Sequence, residues 1–404
     1  VAVETAVIVQ INREVIVKRL ITGTAVIASS LAALAFQAPF AGAETTVGTV
    51  IPVTGYSQCQ INNANVKIRT LIDSVVSASP RAFDADGDAT DEDAPFYQVP
   101  TNQERTDLSD GINLLMAGNS SGAISELSAA GYEICKGSLN STTSGGTDIL
   151  IYDHQGGAIG TTEGRPMLLL RTNSGTADDA AVFSGPHLTS ELHIKDQILN
   201  AFQAEDYFVR AAVLAGTDRC NQLELGDARF QAPATTECGG DYRTSDMAHN
   251  VDTDFQVMHD RLRDHFPGST NVQLHGMSLP GISVSRGDDP NDGSATFPND
   301  LVAVAHQSYS QELTTAMRAN GESAEETNQI ANLTSCTPYF DTIAGRQALT
   351  RDDRCGGFNA QLWSEQNFGD ARNWVHIEQS LHVRANHANI IGSDGFLESI
   401  YAHD

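Results

Sequence analysis

Apolar residues recur at three- and four-residue intervals over Val66 to Ala78 and Gly122 to Ile134, and both stretches predict short amphipathic helices. From Thr147 onward the pattern changes, and short apolar runs alternate with helical ones. Asp148 to Tyr152, Pro166 to Leu170, Val209 to Gly216, Asn271 to His275 and Asn373 to Ile377 predict strands. Glu191 to Phe202, Thr253 to Phe266 and Leu301 to Arg318 predict helices; in the second, Phe255, Met258, Leu262 and Phe266 form one apolar face. This alternation predicts an α/β domain whose mostly parallel or mixed sheet is flanked by helices. Such sheets carry functional groups beyond the carboxyl ends of their strands. His275 ends one predicted strand and Glu378 follows another, so the chemistry is expected there.

The chain opens differently. Lys18 and Arg19 precede an apolar run from Leu20 to Phe36, and Ala41-Gly42-Ala43 offers the small residues a signal peptidase reads. Residues 1–43 are therefore expected to be a removable signal peptide, with a secreted or periplasmic product. A membrane anchor is the competing reading, but Gln37-Ala38-Pro39 breaks the run where stop-transfer charges would be expected. No later stretch is long and apolar enough to predict a stable span. Residues 44–145 are mixed and turn-rich and predict an N-terminal helical and irregular appendage; residues 146–404 predict the α/β domain. Gly287 to Asn299 and Ala319 to Thr327 read as surface insertions.

Charge narrows the partners. The chain has 51 acidic against 24 basic residues and a formal net charge of -27, a surface that repels nucleic acid and anionic membranes. Six cysteines in an exported chain favour disulfides. Cys220 with Cys238 and Cys336 with Cys355 are the economical local pairings, leaving Cys59 with Cys135. Asp84, Asp86 and Asp88 alternate in an acidic loop and could gather round calcium. However, Gly87 and Pro95 depart from the usual calcium-loop pattern, and a solvated acidic loop fits the same residues.

Two short segments, Pro186-His187-Leu188-Thr189-Ser190-Glu191 and Val272-Gln273-Leu274-His275-Gly276, bear the most informative side chains. Zinc needs three or four ligands of borderline softness, with a position left for water in an enzyme. His187 and Glu191 are four apart; if they open a helix after a strand end, they share one face, and His275 completes the set from a neighbouring strand. Glu378, in Val375-His376-Ile377-Glu378, is placed to act as the base that takes a proton from water. His154 beside Asp153, His193, and His249 with Asn250 are further candidates, the last two to bind substrate or to cap the helix from Thr253.

The order of these elements resembles the zinc carboxypeptidase fold and its deacylating relatives, especially the N-formylglutamate amidohydrolase-like proteins. The resemblance covers roughly Asp148 to Arg384, with three residues between His187 and Glu191 where the carboxypeptidase pattern has two. It implies that His187, Glu191 and His275 bind zinc and that Glu378 is catalytic. The implied substrate is an amide, peptide or N-acyl amino acid bearing a carboxylate, which a planar arginine fork would bind; Arg171, Arg210, Arg243 and Arg384 are the candidates. Two other readings remain open: a non-catalytic exported binding or envelope protein, and a metal-dependent phosphoesterase using His154, Asp153, His249 and Asp252. Serine hydrolysis is disfavoured, since the chain has no G-x-S-x-G elbow.

Overall fold

The computed structural model describes residues 51, 54–79, 97–140, 148–153, 163–172, 181–203, 209–222, 224–228, 238, 242–278, 282–285, 301–322, 359–368 and 374–401. They belong to a compact unit spanning 47–404. The expected signal peptide, Asp84, Asp86 and Asp88, His154, and the expected pair Cys336 and Cys355 lie outside the described residues.

Strands β1 (Gln60–Ile61) and β2 (Ala64–Asn65) form a hairpin. Its tip residues Asn62 and Asn63 both take the positive φ that such a two-residue turn demands. Helix α1 (Ile68–Ala78) follows and buries Ile68, Leu71, Ile72 and Val75 along one face. Helix α2 (Asn102–Met116) starts at a capping box, in which the Thr101 side chain accepts from Glu104 N and the Glu104 carboxylate accepts from Thr101 N. Helix α3 (Ser120–Ala129) ends sooner than its apolar pattern suggests. Gly131 turns left-handed at φ +83, and Tyr132 and Ile134 belong instead to strand β3 (Tyr132–Gly137). A disulfide between Cys59 and Cys135 ties the hairpin region to β3, and a second joins Cys220 to Cys238, as the spacing predicts.

The remaining strands are β4 (Asp148–Asp153), β5 (Met167–Arg171), β6 (Ala181–Gly185), β7 (Val209–Leu214), β8 (Thr270–Met277), β9 (Ile282–Ser285) and β10 (Trp374–Ser380). With β3 they form an eight-stranded mixed sheet in the order β3-β4-β5-β7-β6-β8-β10-β9. Strands β7, β6, β8 and β10 run parallel at its centre, with antiparallel neighbours outside them. Because β3 is an edge strand of this sheet, part of the 44–145 segment is built into it.

The helices are α4 (Ile194–Gln203), α5 (Asp254–His265), α6 (Leu301–Ala319), α7 (Ala360–Phe368), α8 (Leu381–Asn386) and α9 (Asp394–Tyr401). Alternation along β10 decides which of them meets which face. Gln379 points to the side of α4 and α6, where Gln197 and Tyr309 hydrogen-bond to it. Trp374, His376 and Glu378 point to the other side, where His259 of α5 meets Trp374 edge-on. Among the described residues no helix is long and apolar enough to cross a membrane.

Candidate metal centre

Strand β6 ends at Gly185, and the chain leaves the sheet through Pro186 and His187 at the carboxyl end of the parallel strands. The expectation that Glu191 opens the next helix is corrected here. His193 takes φ +74, which a regular helix cannot accommodate, and α4 starts only at Ile194. A single turn does the same work: Glu191 N donates to His187 O at 2.8 Å, and the two side chains meet, with His187 Nδ1 2.9 Å from Glu191 Oε1. The other carboxylate oxygen accepts from Gly276 N at 2.8 Å and lies 3.7 Å from His275 Nδ1. Glu191 is thus fixed between β6 and β8.

Strands β8 and β10 pair in parallel with His275 beside Glu378 and Gln273 beside His376. Neighbours at one register position share a face, so these four polar side chains form a stripe on the side of α5 and α7. Helix α7 satisfies the lower part of the stripe. Gln273 Nε2 donates to Gln361 Oε1 at 3.0 Å, and Asn271 Nδ2 donates to Glu365 Oε1 at 3.2 Å. The upper part, His275, His376 and Glu378, gathers towards the carboxyl ends of the parallel strands, where such sheets carry functional groups.

The hydrogen bonds around the two imidazoles fix which nitrogen carries the proton. Gln361 Nε2 donates to the backbone oxygen of Met247, so Gln361 Oε1 must be the acceptor for Gln273 Nε2. That leaves Gln273 Oε1 as the acceptor for His275 Nε2 at 2.8 Å. Asn359 reaches the same conclusion independently: its Oδ1 accepts from Gln361 N and Leu362 N, so its Nδ2 donates to Gln273 Oε1. On the other ring, Asp246 Oδ1 accepts from Ala248 N and from His187 Nε2 at 2.9 Å. Both rings therefore carry hydrogen on Nε2 and turn Nδ1 towards the Glu191 carboxylate. A neutral Nδ1 facing a carboxylate oxygen sets lone pair against lone pair, an arrangement that only a cation or a proton between them stabilises.

The electrostatics agree with that geometry. His187, Glu191, Asp246, His249, His275, His376 and Glu378 are each at most 8% exposed. Burial opposes a charged imidazole, yet Glu191 and then Asp246 hold the His187 pKa up at about 10, so in the metal-free protein a proton occupies the place. Burial pushes His275 down to about 4, which keeps it neutral and its Nδ1 available as a ligand. His376 is pushed well below the usual imidazole range by burial and then by His275. Burial and then the Glu191 charge raise Glu378 to about 8. Asp246 Oδ2, His376 Nδ1 and Glu378 Oε2 are buried without hydrogen-bond partners, a cost that a cation or bound water beside them would relieve. Ligand-bearing atoms of His187, Glu191 and His275 lie within 4.8 Å of one another, as do those of His187, Asp246 and His249 and those of His275, His376 and Glu378. These groups fit a metal ion.

The other candidates divide. His249 shares Asp246 Oδ1 with His187, at 2.9 Å through Nδ1, and stacks on Tyr242 at 3.6 Å. Asn250 bonds to Thr244 O and accepts from Asp252 N, holding its own turn. Arg384 donates to Leu192 O and Gln379 O and lies against Gly276, where a Cβ would meet its Cζ at 2.4 Å. Arg243 sits three residues before Asp246 and donates to Cys238 O. Arg171 and Arg210 are not brought to the centre. Both lie near the end where β7 begins, and Arg171 packs over Phe202 at 4.7 Å. Asp153 accepts from Glu163 N and Arg165 N, and Asp252 pairs with Arg105, so neither joins His249. Asp246, His376 and Arg219, whose Nη1 is 3.6 Å from Glu191 Oε1, are the members that the sequence reading did not single out. For two of them a signal exists: Asp246 stands three residues before His249, and His376 alternates with Glu378 on one strand face.

No family model matches the chain, and no curated protein matches it. Among solved structures it is similar to a Shewanella denitrificans OS-217 protein named for carboxypeptidase A, with 10% identity over 58% of this chain and a TM-score of 0.31. It is also similar to a metallo-carboxypeptidase from Pseudomonas aeruginosa in complex with (2-guanidinoethylmercapto)succinic acid, with 11% identity over 58% of this chain and a TM-score of 0.29. The chain spans 60% of the length of each. Superposition at that level bears on neither fold nor chemistry, which rest on the residues above.

Proposed function

We propose that this chain is a zinc-dependent hydrolase of amide, peptide or N-acyl amino-acid bonds. His187 Nδ1, His275 Nδ1 and Glu191 hold the ion, and Glu378 is the general base. One observation carries the reading: Asp246 and Gln273 hold two buried imidazoles through Nε2 so that both Nδ1 atoms face one carboxylate. Two imidazoles and a carboxylate suit zinc better than magnesium or calcium, which prefer all-oxygen shells. Bound there, zinc would bring water towards neutral deprotonation and polarise a scissile carbonyl.

The chain's own residues supply the rest. Glu378 Oε2 is buried without a hydrogen-bond partner and belongs to the cluster with His275, which supports a role in taking a proton from the attacking water and returning it to the leaving nitrogen. The Arg219 and Arg384 charges near Glu191 and Glu378 favour a substrate that bears a carboxylate. Asp246 and Gln273 act through the two histidines that they orient.

The test is turnover of a panel of N-acyl amino acids and dipeptides by zinc-loaded protein, wild type against Glu378→Gln. Loss of a general base lowers kcat by about 10²–10⁴-fold, while the variant keeps its zinc. A Glu378→Gln variant as active as wild type, or zinc-loaded wild type inert on every amide, would overturn the assignment.

A further inference from the structure

A second cluster of ligand-type side chains, sharing no residue with the first, lies where the chain leaves α6 and where α8 follows β10. Helix α6 stops at a left-handed glycine: Gly321 takes φ +80, and Glu322 N donates back to Met317 O at 3.0 Å. That turn delivers Glu322 to α8. There His382, on the helix, and His387, its C-cap, both aim Nε2 at the same carboxylate. His382 Nε2 is 3.1 Å from Glu322 Oε2, and His387 Nε2 is 2.9 Å from Glu322 Oε1. All three ligand-bearing atoms fall within 4.8 Å of one another.

We propose that Glu322, His382 and His387 form a second transition-metal site, of the two-imidazole, one-carboxylate type, that takes zinc and ties the end of α6 to α8. Around zinc with bonds near 2.0–2.1 Å, tetrahedral neighbours sit about 3.3–3.4 Å apart. The two imidazole–carboxylate separations need to open by only a few tenths of an ångström, and the two imidazole nitrogens lie within 4.8 Å of each other. His387 is buried at 1% side-chain exposure, whereas His382 is 39% exposed, which gives one wall packed into the protein and one open to solvent for entry and for a completing water. The donor set matters as much as the spacing. Two imidazoles and a carboxylate are a common zinc set. Asn386 Nδ2 lies 3.2 Å from His382 Nδ1 and donates to His382 O at 3.1 Å, which holds the ring beside the helix. Binding would brace α8, the helix that carries Arg384 beside Gly276, from a distance.

The experiment measures zinc per chain by elemental analysis after dialysis against a fixed free zinc concentration. It compares wild type, Glu322→Gln with His382→Asn, and His275→Ala. The paired substitution should remove a stoichiometric zinc that His275→Ala leaves in place, with far-UV and near-UV dichroism unchanged. If the pair disturbs the fold, His382→Asn alone, at an exposed position, should weaken this zinc by at least ~10-fold. Wild-type zinc content in a folded variant of either kind overturns the inference, including the case where the only zinc present is the one His275→Ala removes. Zinc lost in the Glu322 variant but untouched in His275→Ala leaves this inference standing and removes the hydrolase centre.

Discussion

Replacing Asp246 by asparagine separates orientation from ligation. Asp246 is fully buried, and its Oδ1 accepts from His187 Nε2 and His249 Nδ1 at 2.9 Å and from Ala248 N at 3.0 Å. Asparagine keeps an oxygen in that place, so all three bonds survive in shape, but the charge is gone. A hydrogen bond to a charged group contributes about 1.5–3 kcal/mol and a neutral one about 0.5–1.5. Two imidazole bonds thus lose about 2–3 kcal/mol together, some of which is felt only when His187 must keep Nδ1 turned to a metal. At about 1.4 kcal/mol per decade that is a 30- to 150-fold effect, close to the 10- to 100-fold range for residues that orient metal ligands. The assay is zinc competition against a chromophoric chelator at pH 7.5, with circular dichroism as the control for folding. Asp246→Asn should weaken zinc by about 10- to 100-fold. A folded variant whose zinc affinity stays within about threefold of wild type would show that the Asp246 charge does not strengthen His187 as a ligand, and the part assigned to Asp246 in the centre would fail with it.

Two further expectations follow from particular neighbours. Gly276→Ala places a Cβ where the Arg384 guanidinium lies, so KM for carboxylate-bearing substrates should rise while zinc content holds; an unchanged KM would remove Arg384 from substrate binding. Asp148, at the start of β4, is raised from 3.8 to about 6 by burial, despite Arg171. A carboxyl whose pKa is raised on folding contributes stability below about 3.8 and loses it as pH climbs through about 6. Asp148→Asn does not titrate, so its urea stability relative to wild type should improve by about 2 kcal/mol between pH 4.5 and 8; a pH-independent difference would contradict the assigned cause.

Much of the site was legible because it sits on strands. The run Val375-His376-Ile377-Glu378 reads as a strand from its alternation, and alternation alone puts His376 on the same face as Glu378. Strand β8 is legible for the same reason, yet the partners of its Asn271 and Gln273 are not, since Glu365 and Gln361 of α7 meet them from 94 and 88 residues downstream. The spacing of His187 and Glu191 predicts a shared helix face, whereas a left-handed His193 and one tight turn bring the two together. Strand β6 carries the chain to His187, but Ala181 to Gly185 is too short a run to declare itself. Helix α2 advertised its start through Thr101 and Glu104, a signal that apolar spacing alone passes over. Arg219 reaches Glu191 only through tertiary contact, and nothing near it in sequence announces that.

The most direct measurement is anomalous diffraction at the zinc edge from crystals grown with zinc. The account predicts a peak bound by His187 Nδ1, His275 Nδ1 and Glu191, with metal–nitrogen distances of about 2.0–2.1 Å. No peak among those three side chains, or a peak held there through Nε2, would contradict it.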